Sequence, residues 1–132
     1  MRIITFGTFD ILHYGHIRIL ERARAMGNEL VVGVSSDALN ERKKGRCPVY
    51  SEFERMAMIR ALRCVDDVFL EESLEQKREY ILTHQADMLV MGDDWAGKFD
   101  EFNDICKVHY FERTPSISTT SIIEVVKALD TE

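Results

Sequence analysis

The sequence predicts an α/β fold, a parallel sheet with helices on both faces. Short apolar, β-branched runs alternate along the chain with segments of helical period. One such run, Leu30-Val31-Val32-Gly33-Val34, is apolar without a break, as a strand covered on both faces requires. A length of 132 residues predicts one domain, 1–132. With 45% hydrophobic and 30% charged residues, the composition excludes a disordered or low-complexity chain.

Each element follows from local pattern. Arg2–Phe6 reads as a first strand, broken at Gly7. Ile17, Leu20, Ala23 and Met26 recur at helical spacing and predict a helix over about 14–26. The apolar run at Leu30 is the second strand. The polar, basic stretch Asn40–Arg46 that follows reads as a solvated loop ending at Pro48. Ser51-Glu52-Phe53-Glu54 has capping-box spacing and opens a helix to about Arg63, before a weak third strand over 65–70. Ser73-Leu74-Glu75-Gln76 repeats the pattern and predicts a helix from there to about His84. Met88–Met91 and Val108–Phe111 are the fourth and fifth strands, and Ser118 caps a last helix through Leu129.

A net charge of −6 argues against a nucleic-acid partner, although a local cluster of cations can still oppose the global sign for a small anion. No apolar run reaches the ~18 residues of a membrane span, and the first residues reach Asp10 too soon for a signal peptide. Cys47, Cys64 and Cys106 form no C-x-x-C pair, so reduced thiols acting as buried filler in a cytoplasmic protein are expected.

Ligands of such sheets bind beyond the carboxyl ends of the strands, where strand order reverses. The loops Gly7–Gly15 and Gly92–Asp100 are therefore the candidate site, and both are dense in His, Asp, Gly and Trp. The first loop leads into a helix start, whose free N–H groups favour anions. His13 and His16 stand three apart, so a helical first turn projects both rings from one face. A lone histidine is usually a packed structural residue, but two beside an anion-binding turn can donate to a phosphate. Zinc is the competing reading, disfavoured because no third Cys or His lies nearby.

Gly7-Thr8-Phe9-Asp10-Ile11-Leu12-His13-Tyr14-Gly15-His16 resembles the signature of the HIGH-motif nucleotidyltransferase superfamily, in the spelling of its cytidylyltransferases. Arg113-Thr114-Pro115-Ser116-Ile117-Ser118-Thr119-Thr120 is similar to their R-T-x-G-I-S-T-T motif, and Met91–Asp100 resembles a stretch of bacterial members acting on glycerol 3-phosphate. The resemblance spans nearly the whole chain. It implies a Rossmann-like doubly wound sheet of order 3-2-1-4-5 and a homodimer. The reaction it implies is cytidylyl transfer from CTP to sn-glycerol 3-phosphate, assisted by Mg²⁺ carried on the nucleotide rather than held at a protein metal site. CDP-glycerol made this way serves polymers of the teichoic-acid or capsule type.

The same resemblance implies residue roles. His13 and His16 bind phosphate oxygens and stabilise the transition state, with Lys43 or Lys44 and Arg113 as further catalytic cations. Gly7, Thr8, Phe9, Arg63, Gly92, Asp94, Thr114, Ile117, Ser118, Thr119 and Thr120 complete the nucleotide site. Asp10, Asp66, Lys77 and Asp94, with Lys43 and Lys44, face the acceptor. The second motif departs from the family at Pro115-Ser116, and proline restricts Thr114 to extended backbone. Close glycerol-phosphate members carry tryptophan at Leu74. Arg55, His84 and His109 read as structural, the methionines as core filler, and Trp95 as either core or site. Alternatives are another acceptor such as phosphoethanolamine or phosphocholine, an adenylyltransferase of the same superfamily, and a non-catalytic nucleotide sensor. Dehydrogenase and P-loop chemistry are disfavoured, since neither G-x-G-x-x-G nor G-x-x-x-x-G-K-[ST] occurs.

Overall fold

A computed structural model describes residues 1–112 and 118–130. Its centre is a five-stranded sheet of order β3-β2-β1-β4-β5, paired in parallel throughout. The strands are β1 (Arg2–Gly7), β2 (Glu29–Ser35), β3 (Asp67–Glu71), β4 (Met88–Gly92) and β5 (Lys107–Phe111). The helices are α1 (Tyr14–Ala25), α2 (Asp37–Lys44), α3 (Glu52–Arg60), α4 (Lys77–Thr83) and α5 (Thr119–Asp130).

Alternation within the strands builds two cores. Ile3, Leu30, Val32, Val34 and Val90 pack on one face with Leu20 and Ala23 of α1 and Ile59 of α3. Ile4, Phe6, Val31, Leu89 and Met91 pack on the other with Ile81 of α4 and Phe102. Burial on both faces is the reason β2 reads as an unbroken apolar run. The chain leaves β1 toward β2 and β3, then returns to its other side with β4 and β5. Strand order thus reverses between β1 and β4, and the crevice lies at their carboxyl ends.

Local expectations fail in three places. The basic stretch after β2 is helical. Ser36 caps α2 by accepting from Leu39 N at 3.0 Å, and Gly45 closes it at φ 74°, the left-handed conformation glycine adopts most readily. Arg42, Lys43 and Lys44 fall in its last turn, where cations suit the helix dipole. The Ser73 pattern does not start a helix. Its hydroxyl bonds Glu75 Oε2 at 2.8 Å, a turn carries the chain to Gln76, and α4 begins at Lys77. Helix α3 ends at Arg60 rather than Arg63. The Ser51 capping box forms as expected, Ser51 Oγ accepting from Glu54 N at 3.2 Å and Glu54 Oε1 from Ser51 N at 3.3 Å. Ser118 likewise caps α5, accepting from Ser121 N at 3.0 Å. Between β4 and β5, two short 3₁₀ turns, Asp93–Trp95 and Asp100–Asp104, shape what reads in sequence as a plain loop.

Candidate active site

A cavity of about 860 Å³ opens at the carboxyl ends of the strands. Gly7, Thr8, Phe9, Asp10, His13 and His16 come to it from the loop after β1 and the start of α1. Lys43 and Lys44 come from α2, Lys77 from α4, Gly92 from the end of β4, Asp94 from the 3₁₀ turn after it, and Ser118, Thr119 and Thr120 from the start of α5.

The loop after β1 is strained and tightly held. Phe9 and Ile11 have φ of 54° and 48°, conformations uncommon outside glycine. The Phe9 ring folds back under Gly7, where a Cβ would stand 2.7 Å from it, so any side chain there would have to displace the ring. That ring then meets His16 edge-on at 5.5 Å. His13 and His16 stack at 3.7 Å, and His16 Nδ1 accepts the His13 backbone N–H at 3.2 Å. An accepting Nδ1 places the proton of the neutral ring on Nε2. Burial, with His13 adding to it, lowers the His16 pKa to about 4, so the ring is a neutral donor at pH 7. Burial lowers His13 as well, and its buried Nδ1 has no partner among the described residues.

Three polar anchors fix the frame. Arg55, fully buried, donates to the carbonyls of Thr8, Ser35 and Tyr50 and pairs with Asp37 at 2.7 Å. Asn40 accepts from Thr8 Oγ1 at 2.8 Å while donating to Ser35 O and Ser36 O, which couples α2 to the first loop. Thr119 Oγ1 donates to Asp10 O at 2.8 Å, which brings α5 to the same loop.

On the floor, Lys77 Nζ meets Glu71 Oε2 at 2.7 Å and lies over the Phe6 and Phe99 rings at 3.8 and 5.1 Å. Both members of the pair are buried, at 4% and 1% side-chain exposure. Burial lowers the Lys77 pKa and Glu71 opposes that shift. Partial burial also lowers Lys43, again opposed by Glu71.

These positions correct the expectations for Asp66, Arg63 and Cys47 and locate the other residues singled out in the sequence. Asp66 lies at the amino edge of the sheet, accepting from Leu30 N at 2.7 Å and pairing with Arg24, so it does not reach an acceptor in the cavity. Arg63 is exposed in the turn after α3 and does not line the cavity. Asp10 lines it, but its carboxylate accepts from the backbone N–H groups of Ile11, Val49 and Tyr50 at 2.7–3.1 Å, a loop-holding role. Cys47 is exposed at the cavity rather than buried filler, and all the cysteines are free. Trp95, 40% exposed, joins the cavity wall against Phe99. His84 stacks on Phe69 and His109 meets Phe111 edge-on, both outside the cavity. Arg113, Thr114 and Ile117, with Pro115-Ser116, lie outside the described residues.

The anchors Asn40, Ser35 and Glu71 escape sequence reading because each acts through a partner distant in the chain. For Glu71 the available signal is a carboxylate directly closing an apolar strand.

The donor set bears on a metal. No cluster of three His, Cys, Asp or Glu suits a cation among the described residues, and Asp10 is committed to backbone. Asp93, Asp94, Glu101 and Glu112 are the other carboxylates of the wall besides Glu71. This set fits an Mg²⁺ held mainly by phosphates and water, with one or two protein carboxylates at most.

Residues 4–125 match the family described as cytidylyltransferase-like. A Bacillus subtilis protein named glycerol-3-phosphate cytidylyltransferase is 46% identical over 97% of this chain and 98% of its own length. A Staphylococcus aureus protein of that name is 45% identical over 92% of this chain and 91% of its own. Among solved structures, a lipopolysaccharide core biosynthesis protein from Thermoplasma volcanium superposes with TM-score 0.73 at 27% identity, covering 86% of this chain and 98% of that one.

Proposed function

The chain belongs to the cytidylyltransferase-like family, and we propose that it transfers a cytidylyl group from CTP to sn-glycerol 3-phosphate, giving CDP-glycerol and pyrophosphate. One observation carries this reading. A neutral histidine pair, the lysines of α2 and α4 and the hydroxyls of α5 all converge on one cavity at the sheet's switch point.

The chemistry follows from that convergence. A phosphate oxygen of glycerol 3-phosphate bonds to the α-phosphorus as the bond to the bridging oxygen breaks, and the electron pair leaves with pyrophosphate. No protein nucleophile takes part, so positioning and charge stabilisation carry the rate. His16 offers its Nε2–H to a phosphate oxygen without changing protonation state, and His13 stacks beside it. Thr8 and the Phe9 backbone hold the nucleotide at the loop after β1, with Gly7 admitting the Phe9 ring beneath that loop and Gly92 leaving room at the end of β4. Lys43 and Lys44 close over the triphosphate from α2. Ser118, Thr119 and Thr120 meet its tail at the start of α5. When bound, Mg²⁺ travels with the triphosphate and offsets charge on the departing pyrophosphate. Lys77 faces the acceptor phosphate.

Glycerol 3-phosphate is favoured over phosphocholine because Lys77 already covers the Phe6 and Phe99 ring faces that a quaternary ammonium would need. The working form is a cytoplasmic homodimer, and the product suits polymers of the teichoic-acid or capsule type. Among the described residues no helix is long and apolar enough to cross a membrane. The test is pyrophosphate release from CTP with and without glycerol 3-phosphate. Release that depends on glycerol 3-phosphate is expected; release only with another alcohol phosphate overturns the acceptor, and none with any overturns the reaction.

A further inference from the structure

Glu71 closes β3 with 1% of its side chain exposed, and none of the chemistry above employs it. Its two oxygens are used differently. Oε2 accepts from Lys77 Nζ at 2.7 Å, and Oε1 accepts from Ser35 Oγ at 3.1 Å, at the carboxyl ends of neighbouring strands. Ser35 is itself buried, so the carboxylate is held from β2 while it holds the ammonium of α4. Lys77, Glu71 and Ser35 all line the cavity. Among the described residues, Glu71 is the one hydrogen-bond acceptor of Lys77 Nζ, which leaves other N–H groups for a ligand.

We propose that Glu71, oriented by Ser35, is a positioning residue for the acceptor, fixing Lys77 Nζ at one point of the cavity to receive the acceptor's phosphate. This rests on the reading that Lys77 faces the acceptor. The Phe6 and Phe99 rings lie against the ammonium, but among the described residues Glu71 is the one hydrogen-bonding anchor that defines where the end of this flexible four-carbon stem sits. The pair also maintains that charge. An ammonium this deeply buried loses its proton readily without a counter-ion, and the groups around it pull both ways. Burial opposes protonation of Lys77 and Glu71 of β3 favours it, while Lys43 of α2 is itself held lower by the Lys77 charge and Glu101 of the 3₁₀ turn at Asp100–Asp104 shares the cavity. Phe6 of β1 and Phe99 contribute no charge. Glu71 is thus the carboxylate in direct contact, and deleting its charge lets Lys77 deprotonate at lower pH.

The experiment is steady-state kinetics of Glu71→Gln, varying each substrate in turn across roughly pH 6 to 10, the range spanning ordinary and lowered lysine values. KM for the acceptor is expected to rise about tenfold while KM for CTP stays within about twofold. The alkaline limb of kcat/KM for the acceptor is expected to move about a unit or more to lower pH, and Glu71→Asp to return it toward wild type. Parallel rises in both KM values with an unmoved limb overturn the proposal, as does no change at all. Should Glu71→Gln not fold, Ser35→Ala carries the test. It keeps the ion pair and is expected to raise the acceptor KM alone by about two- to threefold, and an unchanged acceptor KM overturns the assignment. Wild-type turnover with a panel of alcohol phosphates identifies the acceptor first. The variants are then compared on that acceptor, so a mistaken acceptor and a mistaken role for Glu71 give different results.

Discussion

His16 concentrates the site's chemistry in a single ring. Its pKa of about 4 lies below the ordinary value of 6.5, because burial and the neighbouring His13 both disfavour the charged form. The unfolded chain therefore takes up a proton as pH falls through 6.5, while the folded chain refuses it until about 4. Stability is expected to decline over that window on this account and to level below it. Denaturant midpoints measured across it should slope less for His16→Asn than for wild type; His13 and His84, lowered in the same direction, keep part of the slope in the variant. The acid limb of kcat that belongs to His16 should likewise lie near 4 rather than 6.5. His16→Ala should lower kcat by about 10²–10³-fold, with a smaller change in CTP affinity measured by calorimetry. Equal losses in both would assign the ring to ground-state binding, as in a nucleotide sensor.

Elements are held together here by buried polar anchors. Arg55 of α3 satisfies three carbonyls from the loop after β1, the end of β2 and the segment before α3, as well as Asp37 of α2. Arg55→Ala leaves those acceptors buried and should cost about 3–5 kcal/mol of stability by denaturant unfolding. Arg55→Lys should recover little, because a single ammonium cannot reproduce the planar fork. This division also explains what the sequence makes legible. Strands declare themselves through apolar runs, and helix α1 through its period, because burial on one face leaves a pattern in neighbouring positions. Helix α2 buries Leu39 and Asn40 alone, so it has no stripe to see, and only its Ser36 and Gly45 caps mark it. Ser51 and Ser73 carry the same capping pattern with different outcomes. The first leads directly into α3, whereas the chain after Glu71 must still cross from the end of β3 before Lys77 can turn back onto it. His13 and His16, at the start of α1, are legible because their motif is contiguous. Glu71, Asn40 and Ser35 are not, since each is defined by a partner reached through space.

Across the whole molecule, a net charge of −6 must accommodate a polyanionic nucleotide. The cavity does not simply invert that sign. Among the described residues its lining includes Lys43, Lys44, Arg46 and Lys77, but also Asp10, Glu71, Asp93, Asp94, Glu101 and Glu112. Glu71 is paired with Lys77 and Asp10 with backbone N–H groups, which sets four further acids, Asp93, Asp94, Glu101 and Glu112, against three further bases, Lys43, Lys44 and Arg46. A bare triphosphate meets repulsion from part of this wall, which its own divalent cation would relieve. The described residues hold no cluster of three carboxylate, thiol or imidazole groups, and on the proposed reading Mg²⁺ arrives on the phosphates, which complete its shell. Calorimetric titration of the nucleotide-free protein with MgCl₂ should therefore show no saturable binding below the millimolar range. CTP titrated with Mg²⁺ in excess should bind at least about tenfold more tightly than CTP in a chelator, since one relieved like-charge contact near the surface is worth over 1 kcal/mol. Saturable Mg²⁺ binding to the free protein would instead place a resident metal site in the cavity and give the acidic wall a coordinating role.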